Sequence, residues 1–149
     1  MLRTSWLFGK AGDNFPRKIL RQAEAGNPFP VICNQFGNPT FTGDLAEAVG
    51  KIIKFLSRKT IGAENQIYHI ANEGVVSRFE FARTLLKKKN FSPDLVKPIA
   101  SETAPKRPAA RPQNSSLSTE KIKERLGVHL RHWEEALEAF LQEDMKLPV

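Results

Sequence analysis

Three residues of this 149-residue chain stand where side-chain chemistry would be useful: Asn14, Arg111 and Trp6. Asn14 falls at a helix start read from the sequence. Exposed backbone N–H groups and the positive end of a helix dipole favour an anion at such a place. Arg111 lies among prolines, with Pro108 before it and Pro112 after it. Proline restricts the backbone on either side, and a guanidinium held that way suits bidentate binding of a phosphate. Trp6 lies at a strand end, where a flat indole can rest against a sugar or a base. Each has a plainer reading beside it: Asn14 as a helix cap, Trp6 as core, Arg111 as a loop charge.

Other chemistries lack their residues. His69, His129 and His132 match no common zinc spacing, and the lone Cys33 excludes an internal disulfide and any multi-cysteine metal site. His69 sits inside a predicted strand and reads as a core or edge residue. No G-x-S-x-G elbow is present, so a serine esterase has no support. Gly9 and Gly12 are two residues apart, but the full G-x-G-x-x-G phosphate turn is absent. The only tyrosine is Tyr68, and Asn72 stands four residues on. The tyrosine–lysine pair that short-chain reductases use for proton transfer is therefore not encoded.

The elements that must position these residues alternate. Leu2 to Phe8 is short and apolar and predicts a strand. Asp13 is a reasonable N-cap for a helix carrying Pro16 in its first turn, and Phe15, Ile19, Leu20 and Ala23 recur at helical spacing before Gly26 ends it. Phe29 to Cys33 reads as a second strand and the stretch NQFGNPT as a turn. Leu45, Val49, Ile52, Ile53 and Leu56 form the stripe of a long helix with Asp44 in its first turn. Ile67 to Ala71 predicts a third strand. Ser77 and Glu80 form a capping box opening a helix to about Lys88, with Phe79, Ala82, Leu85 and Leu86 buried. Residues 90–117 hold five prolines (Pro93, Pro98, Pro105, Pro108 and Pro112) and read as a long loop. Thr119 to Leu126 predicts a short helix with Ser118 as its cap. Trp133, Leu137, Phe140 and Leu141 mark the last helix.

Composition sets the limits. A hydrophobic fraction of 40% and a charged fraction of 26% exclude wholesale disorder, collagen and low-complexity scaffolds. The net charge is +7, densest at Lys106, Arg107 and Arg111, and reversed to acidic over residues 132–149. A basic face attracts nucleic acid or a phosphorylated small molecule alike. With no nucleic-acid-binding signature, and no aromatic between Lys97 and His132, the small molecule is the expectation. No apolar run is long enough to span a membrane, and the N-terminus lacks the layout of a secretory signal. A soluble, reducing, cytoplasmic setting is expected.

The segments RTSWLFGKAGDNF, NQFGNPTFTGDLAEA, IYHIANEGVVSRFEFAR, RPQNSSLS and WEEALEAFL, in this order, resemble the C-terminal half of the dTDP-4-dehydrorhamnose reductase family of extended short-chain dehydrogenases. The resemblance runs from Leu2 to about Leu141. It implies an α/β chain, the C-terminal portion of an NAD(P)-binding Rossmann-type enzyme. Residues 1–28 would be a late strand and helix of the Rossmann-type sheet, and residues 29–149 mostly the small substrate-binding domain with C-terminal helices. The N-terminal dinucleotide-binding half, with its glycine-rich loop and tyrosine–lysine pair, would be absent. The full enzyme reduces dTDP-4-dehydro-L-rhamnose with NADPH or NADH.

Carried onto this sequence, the resemblance implies no catalytic residue in the chain and no metal site. It puts Ser5 near the nicotinamide and Trp6 near nicotinamide and sugar. Asn14 and its helix tip would face the diphosphate, and Gln35, Pro39 and Thr40 the nucleotide side of the cleft. Arg111 would pair with the diphosphate, with Asn114 supporting its loop. Arg78 departs from the aromatic often found in its motif, and Thr42 falls in a stretch where relatives vary. The partner implied is a dTDP-sugar, with neither nucleic acid nor membrane, and a homodimer as an alternative to a monomer. The alternative functions are a non-catalytic binding or regulatory module of the same fold, and another sugar-nucleotide reductase or epimerase.

Overall fold

A computed structural model describes residues 1–58, 66–104, 109 and 111–144. The elements in chain order are β1 (Leu2–Arg3), β2 (Leu7–Phe8), α1 (Phe15–Glu24), β3 (Phe29–Ile32), β4 (Phe36–Gly37), β5 (Thr40–Phe41) and α2 (Thr42–Arg58). There follow β6 (Tyr68–His69), β7 (Val76–Ser77), α3 (Arg78–Lys88), a 3-10 turn (Pro93–Leu95), β8 (Val96–Ile99), α4 (Glu120–Leu126) and α5 (Trp133–Asp144). They pack as two units, each assembled from separated stretches. The first comprises Met1–Lys10, Asn38–Gly74 and Leu117–Val149; the second comprises Ala11–Gly37 and Val75–Ser116.

In the first unit the expected strand Leu2 to Phe8 is broken in two. Trp6 has φ +43°, a left-handed conformation that a strand cannot contain. β1 therefore pairs in parallel with β6, whereas β2 pairs in parallel with β5. The predicted turn NQFGNPT thus contains β4 and leads straight into β5. The rings of Phe8, Phe41 and Phe140 meet at centroid distances of 5.6–6.4 Å, edge to face between Phe8 and Phe140. Beside them Ala48, Ile52, Ile70, Ile122, Val128 and Leu130 form a second buried cluster. Ile53, expected in the stripe of α2, is 61% exposed, and Ala48 takes the buried place instead. The side chain of Leu56 lies outside the described residues. α4 is preceded by Thr119 rather than capped by Ser118.

Two buried asparagines hold this unit's stretches together. Asn72 accepts from the Phe41 N–H (2.8 Å) and donates to the Asp44 carboxylate (2.7 Å) and the Arg131 carbonyl (3.0 Å). Arg131 in turn grips Asp44 through Nε and Nη2. This bond holds the Arg131 guanidinium above its ordinary pKa, aided by the charge of the same carboxylate. Asn38 donates to the Gly74 carbonyl (2.8 Å) and accepts from the Leu117 N–H (2.7 Å). Gly74 has φ +88°, and a Cβ there would collide with His132 and Trp133, so only glycine fits the turn.

The second unit packs α3 on the parallel pair β3–β8 and α1 against α3, with β4 antiparallel to β7. Ile19, Ala23, Phe29, Val31, Phe81, Ala82, Leu85, Leu86 and Val96 are buried. Within α3, Phe81 rather than Phe79 completes the buried face. Ser77 caps α3, its hydroxyl accepting from the Glu80 N–H at 3.0 Å. β8 was not expected, because Pro93 and Pro98 mark residues 90–117 as loop. Pro30 and Pro98 are tolerated because the two-stranded ladder leaves N–H groups on its outer edges unused. Pro105, Lys106, Arg107 and Pro108, part of the predicted loop, lie outside the described residues.

Replacing Asn72 by leucine takes away the partner it gives the Phe41 N–H and the Arg131 carbonyl, and one donor to the Asp44 carboxylate, which keeps Arg131. A loss of about 2–4 kcal/mol is expected, since buried groups left without partners carry their full desolvation cost. Chemical denaturation of N72L against the wild-type chain measures it; a change below about 1 kcal/mol contradicts the assigned role.

Candidate functional site

The residues singled out from the sequence divide between the two units. Ser5, Trp6, Pro39 and Thr40 belong to the first; Asn14, Gln35, Arg111 and Asn114 belong to the second. In the first unit the Ser5 hydroxyl donates to the Asn38 carbonyl at 2.8 Å. Trp6 is half-buried, and its carbonyl accepts from the Thr40 N–H at 3.2 Å. Thr40 is 0% exposed and its hydroxyl turns onto the Asn38 carbonyl at 3.4 Å. Its side chain therefore packs inside the unit. Trp6 is half-buried and carries a backbone φ of +43°, a strained conformation of the kind that clusters at functional positions.

The second unit holds a cavity of about 710 Å³. Phe15, Ile19 and Ala25 of the α1 segment and the strand residues Pro30, Val31 and Ile32 supply its apolar walls. Lys18, Arg21, Arg78 and Arg111 bring positive charge to it, and Gln22 and Gln35 bring amides. No carboxylate is among its described lining residues. A slot with apolar walls and several cations suits a flat base joined to phosphates.

Sequence placed the helix tip one residue early. Asn14, not Asp13, is the N-cap of α1, its side chain accepting from the Arg17 N–H at 3.4 Å. Asp13 instead pairs with Lys18 at 3.1 Å and with Arg21. The Lys18 hydrogen bond, then the charge of Arg21, keeps the Asp13 carboxyl below its usual pKa. Asn14 itself does not line the cavity; Phe15, the next residue, does. Gln35 lines it and is 8% exposed.

Arg111 reaches the cavity from a loop pinned at its far end. Phe36 donates its N–H to the Gln113 carbonyl (2.7 Å) and accepts from the Ser115 N–H (2.9 Å). The Asn114 carboxamide accepts from the Ser116 N–H at 2.9 Å and turns the backbone there. Lys18, Arg21, Gln22 and Arg78 were not singled out as site residues from the sequence. A signal existed for three of them: positions 18, 21 and 22 share one helical face, opposite the buried Ala23.

With this geometry the comparisons with known proteins take on meaning. The fold is that of the C-terminal part of NAD(P)-binding extended short-chain dehydrogenases. The model of the RmlD substrate binding domain matches residues 1–146, and the chain belongs to that family. It is 38% identical over 143 residues to the spore coat polysaccharide biosynthesis protein SpsK of Bacillus subtilis (strain 168), covering 96% of this chain and 47% of the relative. It is 36% identical over 139 residues to the dTDP-4-dehydrorhamnose reductase of Mycolicibacterium smegmatis, covering 93% and 40%. The crystal structure of dTDP-4-dehydrorhamnose reductase from Bacillus anthracis str. Ames in complex with NADP superposes with a TM-score of 0.82 at 33% identity, covering 95% of this chain and 47% of that one. The chain thus spans about half the length of the relatives it matches.

The segment leading towards Arg111 is clipped by one carboxylate. Asn34 donates to Glu102 at 3.0 Å and accepts from the Ser101 N–H at 2.9 Å. Backbone hydrogen bonding at Glu102, then the Asn34 amide, holds the Glu102 carboxyl below its ordinary pKa. A carboxylate held low favours the folded clip at neutral pH, and that contribution disappears as pH falls through the lowered value. The Ser101 amide resonance is therefore expected to titrate with a midpoint below the usual glutamate value of 4.5. A midpoint at or above that value, or no response in wild type relative to E102Q, contradicts the clip.

Proposed function

We propose that this chain supplies the sugar-nucleotide-binding part of a reductase that converts dTDP-4-dehydro-L-rhamnose to dTDP-L-rhamnose. The observation that carries the reading is the second unit's cavity, where Arg111 and three further cations adjoin apolar walls with no described carboxylate among them. The base lies along the apolar wall and the diphosphate is drawn to the guanidinium of Arg111. Two charge-assisted hydrogen bonds from one planar fork fix the diphosphate in orientation as well as position. Holding the sugar so that its 4-keto carbon meets a hydride donor at fixed distance supplies much of the rate, because orientation replaces a bimolecular encounter.

The hydride itself comes from NADPH, a choice supported by the NADP-bound relative. Two observations support the view that this chain alone does not hold that cofactor. Its sequence has no G-x-G-x-x-G turn, and the Ser5 hydroxyl, expected near the nicotinamide, is committed to the Asn38 carbonyl. The tyrosine–lysine proton-transfer pair is likewise not encoded. Catalysis therefore belongs to an assembly that includes those parts.

Calorimetry on the chain tests this. Saturable binding of dTDP is expected, stronger than that of UDP or GDP, together with no saturable NADPH signal. Arg111→Ala is expected to weaken dTDP by about ten- to a hundredfold, the scale of hydrogen bonds to a charged group. No dTDP binding, or an unchanged affinity in R111A, overturns the reading. Tight NADPH binding overturns the division of labour.

A further inference from the structure

Arg78 occupies a position that its own helix does not favour. It is the first residue of α3, where the positive end of the helix dipole repels a cation. Its backbone N–H donates to the Gln35 carbonyl at 3.3 Å, which ties the start of α3 to a residue lining the cavity. Its guanidinium lies over the Phe15 ring, 5.3 Å from the centroid. Phe15 packs in turn on Phe81, with centroids 6.1 Å apart, and Phe81 is 2% exposed. The guanidinium is thus oriented by a ring that the core itself fixes.

Stacking uses the flat face of a guanidinium, whereas its hydrogen bonds run in the plane. Such an arginine is oriented for an anion before the anion arrives, at little entropic cost. Arg78 and Arg111 line the same cavity from different segments, one at a helix start and one on a loop. The other two cations, Lys18 and Arg21, share Asp13 as a partner. Their charge is therefore partly offset.

We propose that Arg78 is a second anion-binding guanidinium of this cavity, which acts with Arg111 on the two phosphates of a nucleoside diphosphate and makes the site prefer diphosphate to monophosphate. The inference rests on the sugar-nucleotide reading of the site, and it adds a residue and a selectivity to it. One guanidinium fork satisfies one phosphate; a second phosphate next to it calls for a second fork.

Binding of dTDP and dTMP to the chain, measured by calorimetry at fixed ionic strength, tests it for wild type, R78Q and R78K. R78Q is expected to weaken dTDP by about tenfold and dTMP by less than about threefold, with a shallower salt dependence for dTDP. R78K keeps the charge and the long stem but loses the planar fork, and is expected to fall between wild type and R78Q. It also supplies the comparison if R78Q proves poorly folded by circular dichroism. Equal losses for dTDP and dTMP in the folded variants reduce Arg78 to a structural stack and overturn the proposal. An unchanged dTDP affinity in R78Q and R78K does the same while leaving the sugar-nucleotide reading intact. Failure of the wild-type chain to bind dTDP overturns that reading, and this inference with it.

Discussion

The constraint on which the rest depends is the buried carboxamide of Asn38. The chain leaves and re-enters the first unit several times, so residues far apart in sequence must be brought to one place. Asn38 does this with one residue: its amide N–H reaches Gly74, its side-chain oxygen receives Leu117, and its backbone carbonyl takes the Ser5 and Thr40 hydroxyls. A planar group with donors and acceptor at fixed angles can order two distant backbones where an apolar side chain cannot. Asn72 repeats the device deeper in the unit, joining the end of β5, the first turn of α2 and the stretch before α5. Both are 5% exposed or less, so their bonds form away from competing water and each missing partner is costly.

The second unit is built on a different principle. Its frame is apolar: α3 packs on a two-stranded parallel ladder and α1 on α3, with Phe81, Leu85 and Leu86 of α3 buried. That frame presents charge on its rim. Cations at Lys18, Arg21, Arg78 and Arg111 gather around one cavity, and Asp13 offsets part of that charge from the base of α1. Like charges so placed repel one another in the empty site, and an entering polyanion relieves that repulsion as it forms its bonds. On the proposed reading, affinity and selection for phosphate come from the same arrangement.

Much of the local structure was legible. The capping box at Ser77, the turn of Gly26 and the stripe of Trp133, Leu137, Phe140 and Leu141 act over one or two helical turns, and such signals are written in neighbouring residues. Arg111 could be singled out because the prolines beside it restrict its own backbone. What failed were features set by distant partners. β8 was hidden by its prolines, since only the pairing with β3 shows which N–H groups go unused. The break at Trp6 depends on β1 and β2 pairing with different strands.

The sequence by itself determined the class of chain: α/β and basic, with no common zinc spacing, no G-x-S-x-G elbow and no G-x-G-x-x-G turn. Those follow from which side chains are present and how closely they are spaced. Only the tertiary structure decided which cations share a cavity, that Arg78 is one of them, and that the residues expected around one ligand divide between two packing units. Sharing a cavity depends on contacts between residues tens of positions apart, and no local period in a sequence records them.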